Sequence, residues 1–90
     1  MLFALTCIDK ADGLQTRLDN RPAHLEYLGA AGAKVLFAGP FIDAGSPVGS
    51  LVVIEADDLA AAEAFADADP YAQAGLFDSV TIREWRKVIG

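Results

Sequence analysis

The 90-residue chain has one cysteine, one histidine, one tryptophan, and seven basic side chains against thirteen acidic ones. Cys7 has no partner in the chain, so no internal disulfide reinforces the fold. Its apolar surroundings, LFALTCI, suit a buried, reduced thiol in a cytosolic protein. One histidine and one cysteine fall short of a zinc ligand set unless several carboxylates join them, so no metal site is expected. A haem on His24 alone has no supporting residues. The chain has no Gly-rich loop ending in lysine, no C-x-x-C, no H-E-x-x-H and no G-x-S-x-G. P-loop, dithiol, zinc-peptidase and nucleophile-elbow chemistries lose their carriers, and no cofactor is expected. The net charge of −6 is opposite to that of a free-standing nucleic-acid binder. No apolar run nears the ~20 residues that span a bilayer. Met1 leads straight into a strand-like run without the basic stretch of a secretory leader, so a cytoplasmic location is expected.

What is present is a hydrophobic fraction of 53%, high for so short a chain. Residues 1–90 suffice for one domain and no second core. The run 2–8 reads as a first strand. Asp12, with Gln15 three residues on, forms a plausible capping box for a helix carrying Leu14, Arg17 and Leu18. Asn20 and Pro22 predict that the helix is broken or bent there and followed by a second segment, with Leu25, Leu28 and Ala31 as its buried stripe and Gly32 as its stop. Strands are predicted at 34–41 and 49–56, joined as an antiparallel hairpin by a loose loop, IDAGSP. Asp57 or Asp58 caps a second helix from Leu59, with Leu59, Ala62, Phe65 and Ala66 on one side. Asp69 and Pro70 start a further short turn of helix that Gly75 ends, and 78–89 is the last strand.

The order β-α-β-β-α-β is the ferredoxin-like α+β arrangement, a four-stranded antiparallel sheet with helices on one face. Strand one is nevertheless apolar on both sides, with Leu2, Ala4 and Ile8 opposite Phe3, Leu5 and Cys7; strand three behaves similarly. A second layer is needed, and a homodimer packed sheet to sheet supplies it.

On an ideal helix Arg17, Arg21 and His24 fall within about 60° of one another. Such a basic border on an acidic protein fits a small anionic or polar organic ligand. The plainer alternative pairs the arginines with Asp9, Asp12, Asp19 or Asp69 on the surface. An imidazole such as that of His24 is a common acid–base group, although a lone histidine at a helix border is more often structural. Asp69 fits an N-cap equally well, Tyr71 a core or pocket wall, and Ser50 a pocket hydroxyl or a first strand residue. Gly39-Pro40 marks a sharp turn or a close ligand approach.

The segments DKADGLQTRLDNRPAHLEYL, AGPF, GSLVVIEADDLAAAEAFADADPYAQAGLF and REWRKVI resemble the YciI-like (YCII-related) family over nearly the whole chain. The spaced pattern R-x-x-H-L, A-G-P and D-P-Y-x-x-A-G-L carries the resemblance. It implies a ferredoxin-like fold of the dimeric α+β barrel superfamily and a histidine–aspartate pair, at His24 and Asp69 here. Some relatives are dehydrochlorinases of chlorinated aromatics, and most have no assigned reaction. The loop between strands two and three is shorter than in many relatives, and Trp85 replaces a common phenylalanine. The expected activity is cofactor-independent acid–base chemistry (proton transfer, isomerisation or elimination), with Arg17, Arg21, Ser50 and Tyr71 binding the substrate. The alternative is a non-catalytic ligand-binding or regulatory dimer using the same pocket.

Overall fold

A computed structural model describes all 90 residues. Strand β1 spans Leu2–Asp9, helix α1 Leu14–Ala31, β2 Val35–Asp43, β3 Ser46–Glu55, α2 Leu59–Asp67, α3 Pro70–Gln73 and β4 Phe77–Trp85. The strands form one sheet in the order β2-β3-β1-β4, antiparallel throughout. This is the ferredoxin-like α+β fold, with α3 as a one-turn addition before β4.

Alternation along β1 sends Phe3, Leu5 and Cys7 to the helix-covered face, where they are nearly inaccessible. Val52 and Ile54 of β3 and Ala62 and Ala66 of α2 complete that core, with Leu28 and Ile82 packed against it. Asp58 caps α2 by accepting from Ala61 N at 2.8 Å. On the other face Val53 is also buried, although no helix covers it. Phe37 beside it on β2 meets Trp85 of β4 edge-to-face at 5.9 Å, so two aromatic rings reach toward each other from the sheet's outer strands. No helix is long and apolar enough to cross a membrane.

Several local expectations need correction. Helix α1 is continuous through Pro22, with no break at Asn20. Proline withholds the N–H that the Leu18 carbonyl would accept, yet the helix runs on, with Arg17 before it and His24 after it both buried. Asn20 caps nothing; its amide donates back to Thr16 O at 2.8 Å. Asp12 does not cap α1 either. The N-cap is Gly13, where a Cβ would stand only 2.8 Å from Leu76 Cδ1, and Gln15 donates to Asp19 instead.

Leu25 is not part of a buried stripe but is 48% exposed, and α1 buries Arg17 and His24 instead. The hairpin loop is tight rather than loose: Asp43 pairs with Ser46 around Ala44 and Gly45, at φ 50° and 82°. Two successive left-handed residues give the turn whose twist matches the flanking strands. Strand β4 ends at Trp85, short of the expected residue 89, and Val88 and Ile89 are exposed.

Burial pushes the Cys7 thiol up to about 12, with Asp69 adding to the push and Arg17 opposing it. The thiol is therefore protonated and poorly nucleophilic. Its stabilising share is full below the ordinary value of 9.0 and is lost as pH rises towards about 12. A maleimide should leave Cys7 unlabelled in the folded protein at mildly alkaline pH and label it fully in denaturant. Rapid labelling without denaturant would place the thiol outside the core.

Candidate functional site

Helix α1 buries two polar side chains, Arg17 and His24, about two turns apart. Burial of such groups demands partners. Arg17 finds its partner on β1, where Asp9 continues the inward series of Phe3, Leu5 and Cys7. Arg17 Nε donates to Asp9 Oδ2 at 2.6 Å and Nη2 to Asp9 Oδ1 at 2.9 Å. Nη2 also donates to Ser50 Oγ on β3 at 2.9 Å. Burial alone would lower the guanidinium pKa, but the hydrogen bonds and charge of Asp9 more than offset it and hold it above its ordinary value. Arg17 stays ionised.

His24 is tied to α3. Its Nδ1 lies 2.9 Å from Asp69 Oδ1 and 3.0 Å from Oδ2. Asp69 is also the N-cap of α3, where Oδ1 accepts from Tyr71 N at 2.9 Å. An ionised carboxylate only accepts, so the neutral ring carries its proton on Nδ1 and keeps its lone pair on Nε2. The Tyr71 ring stacks on His24 with centroids 3.9 Å apart and planes 14° from parallel. Arg17 Cζ lies 4.6 Å from the centroid of the same Tyr71 ring, a cation–π contact. Burial pushes the Tyr71 phenol upward; Arg17 and Arg21 pull against it, and the group stays above its ordinary value as a neutral donor.

These groups adjoin a cavity of about 280 Å³ between α1 and the β2–β3 hairpin. Arg17, Arg21, His24, Ser50 and Tyr71 line it, and Asp69 stands behind His24. Leu18, Leu25 and Ile42 also line it while remaining 50%, 48% and 59% exposed, so they form an apolar mouth. The arginines divide. Arg17 is committed to Asp9 in a buried pair, not a surface one, whereas exposed Arg21 has no ion pair. No group of three or more His, Cys, Asp or Glu side chains with metal-holding geometry occurs. What the site offers is an oriented imidazole, a neutral phenol and a free cation around a small, largely apolar space.

Sequence reasoning gave Asp9 only a surface role. The signal for a deeper one was present: a carboxylate at an inward position of an otherwise apolar strand requires a buried cation. Helical spacing places Leu25 in a buried stripe and does not reveal that Leu18 and Leu25 stand at the cavity mouth.

Residues 1–86 match the YCII-related domain. Protein YciI of Escherichia coli O6:H1 is 41% identical over 97 aligned positions, covering 98% of this chain and 99% of that one. The solved structure of 5-chloro-2-hydroxyhydroquinone dehydrochlorinase (TftG) from Burkholderia phenoliruptrix AC1100, in complex with 2,5-dihydroxybenzoquinone, is 35% identical. It superposes with a TM-score of 0.91 and covers 96% of this chain and 94% of that one. A dimeric ferredoxin-like protein of unknown function from Jannaschia sp. CCS1 shares the fold alone, at TM-score 0.50 and 21% identity over 93% of this chain and 98% of its own. With a domain match over nearly its full length and a relative of such identity, this chain belongs to the YCII-related family.

Proposed function

We propose that the chain is a cofactor-independent enzyme performing acid–base chemistry on a small phenolic or carboxylate compound. Proton transfer, isomerisation and elimination are the reactions this covers. The observation that carries the reading is the His24–Asp69 contact at the cavity wall. One ring nitrogen is held by the carboxylate at 2.9 Å, while the other has no protein partner. Nε2 takes a proton from the substrate, and Asp69 keeps the tautomer and stabilises the imidazolium. In elimination a leaving group departs with its electron pair. In isomerisation the proton returns at another atom.

Arg21 draws an anionic group to the mouth, and Ser50, Tyr71 and the remaining Arg17 terminal nitrogen offer polar contacts inside. The similarity to TftG, a dehydrochlorinase whose complex holds an acidic quinone, supports this class of ligand. The cytoplasm, where thiols stay reduced, suits the unpaired Cys7.

Calorimetric titration with 2,5-dihydroxybenzoquinone, a vinylogous acid that is anionic near neutral pH, tests the reading. The protein should bind it, and Arg21→Lys should weaken binding roughly tenfold by losing the planar fork. The melting midpoint should barely move, since Arg21 is exposed and unpaired. Lost stability with unchanged binding would make Arg21 a structural residue. Tight binding with no reaction on any hydroxylated aromatic offered would favour a ligand-binding module.

The same proposal includes a homodimer through the helix-free sheet face. Phe37 and Trp85 are exposed there at 46% and 36%, beside half-buried Leu2, Ala4, Phe41 and Leu51. An apolar face of that kind on a folded chain calls for a covering partner. Light scattering at micromolar concentration should report about 19 kDa, twice the chain's 9.5 kDa. A folded species at the single-chain mass would remove the dimer.

A further inference from the structure

We infer that Asp9, remote from the reacting nitrogen, is a positioning residue for His24, acting through Arg17 and Tyr71. The functional consequence rests on the acid–base reading above; the structural chain does not.

An imidazole has two torsions to fix. Asp69 fixes where Nδ1 points, but a ring can still swing about the axis joining that nitrogen to the carboxylate. Its plane is set by what lies against its face. That surface is Tyr71, stacked at 3.9 Å and 14° and itself 1% exposed. Two groups hold the Tyr71 ring in turn. Arg17 Cζ lies 4.6 Å from its centroid, and Phe77 meets it edge-on at 6.1 Å.

The first holder leads back to the Asp9 carboxylate, the second to the Asp9 backbone alone. Arg17 has a long, flexible stem, and its guanidinium plane is fixed by the fork to Oδ1 and Oδ2 of Asp9, with Ser50 as a third point. Phe77 is the β4 residue directly across the ladder from Asp9, brought there by the register shift after Ile8. Ser50 comes within reach because β3 lies close against β1: at neighbouring Gly49 a Cβ would collide with the Cys7 carbonyl oxygen. A buried ion pair is poor evidence of a stability role, since apolar residues of similar volume often serve as well. Such residues could not present a cation to the face of Tyr71.

The single histidine makes the test direct. NMR of the ring protons of His24 in the full-length protein should show the upfield displacement of a stacked imidazole. In Asp9→Asn those signals should move toward free-histidine values, although Asp9 does not touch the ring. Should that variant not fold, Asp9→Leu with Arg17→Met removes both charges together, leaves neither orphaned, and must give the same relaxation of the His24 signals. With a turned-over substrate, kcat should fall about 10- to 100-fold and KM change little, as for a misplaced catalytic group. A folded variant whose His24 signals stay at wild-type positions would overturn the inference. Shifted signals in a protein that turns nothing over would uphold the positioning chain and overturn the acid–base reading instead.

Discussion

Asp69→Asn is expected to cut turnover by up to ~10⁴-fold while leaving the fold almost untouched. Asparagine caps a helix about as well as aspartate, so Tyr71 N keeps an acceptor and α3 persists. The amide can present its NH₂ to His24 Nδ1 instead, which turns the neutral ring to the other tautomer and removes the lone pair from Nε2. His24→Asn should cost roughly 10²- to 10⁴-fold, the usual span for a lost acid–base group. It also forfeits the stack on Tyr71, about 0.5–1.5 kcal/mol of stability. Both variants should keep the oligomeric mass of the parent, and both should lower kcat and kcat/KM together. An Asp69→Asn protein with full activity would dismiss the pair as a catalytic unit. A His24→Asn protein that fails to fold would return the histidine to the core.

The largest stability effect should come from Asp9→Ala, at about 3–5 kcal/mol. The side chains of Arg17 and Asp9 are 5% and 4% exposed, so solvent does little to screen the charge left behind. Arg17 would lose two of its three hydrogen bonds and keep a guanidinium that has no means of shedding its proton. For a domain whose entire margin is of order 5–15 kcal/mol, that is close to unfolding. The paired exchange of Asp9→Leu with Arg17→Met should lie within about 1–2 kcal/mol of the parent in urea titrations, because no charge is orphaned. A loss under about 1 kcal/mol for Asp9→Ala would show that water reaches the pair in solution.

Features determined within a few residues were readable from sequence. The core strands show their alternation, and Asp58 and Asp69 sit where caps belong because a capping oxygen meets a backbone N–H two or three residues on. The outward face of β1, with Leu2 and Ala4, was readable for the same reason. Helix α1 was harder, because its burial is settled by residues elsewhere in the chain. Arg17 goes inside for the sake of Asp9, eight residues back, and His24 for Asp69, 45 residues on. Leu25, apolar and helical in spacing, is displaced outward, and no helical-period count contains the reason. Pro22 stays within a helix because Arg17 before it and His24 after it are both anchored. The β2–β3 turn was misjudged because Ala44 is an unusual occupant of a left-handed position, so the residue itself carries no turn signal.

The tight Ala44-Gly45 tip separates two jobs. Ile42 and Pro47, flanking it, build one wall of the cavity, while His24 stands on α1 and Asp69 caps α3. A hairpin tip is among the places where a chain accepts extra residues most readily. Lengthening it would move that wall without touching the hydrogen bonds of His24, Asp69, Arg17 or Asp9. The scaffold is therefore modular: the width of the cavity can change while the buried pairs His24–Asp69 and Arg17–Asp9 stay as they are.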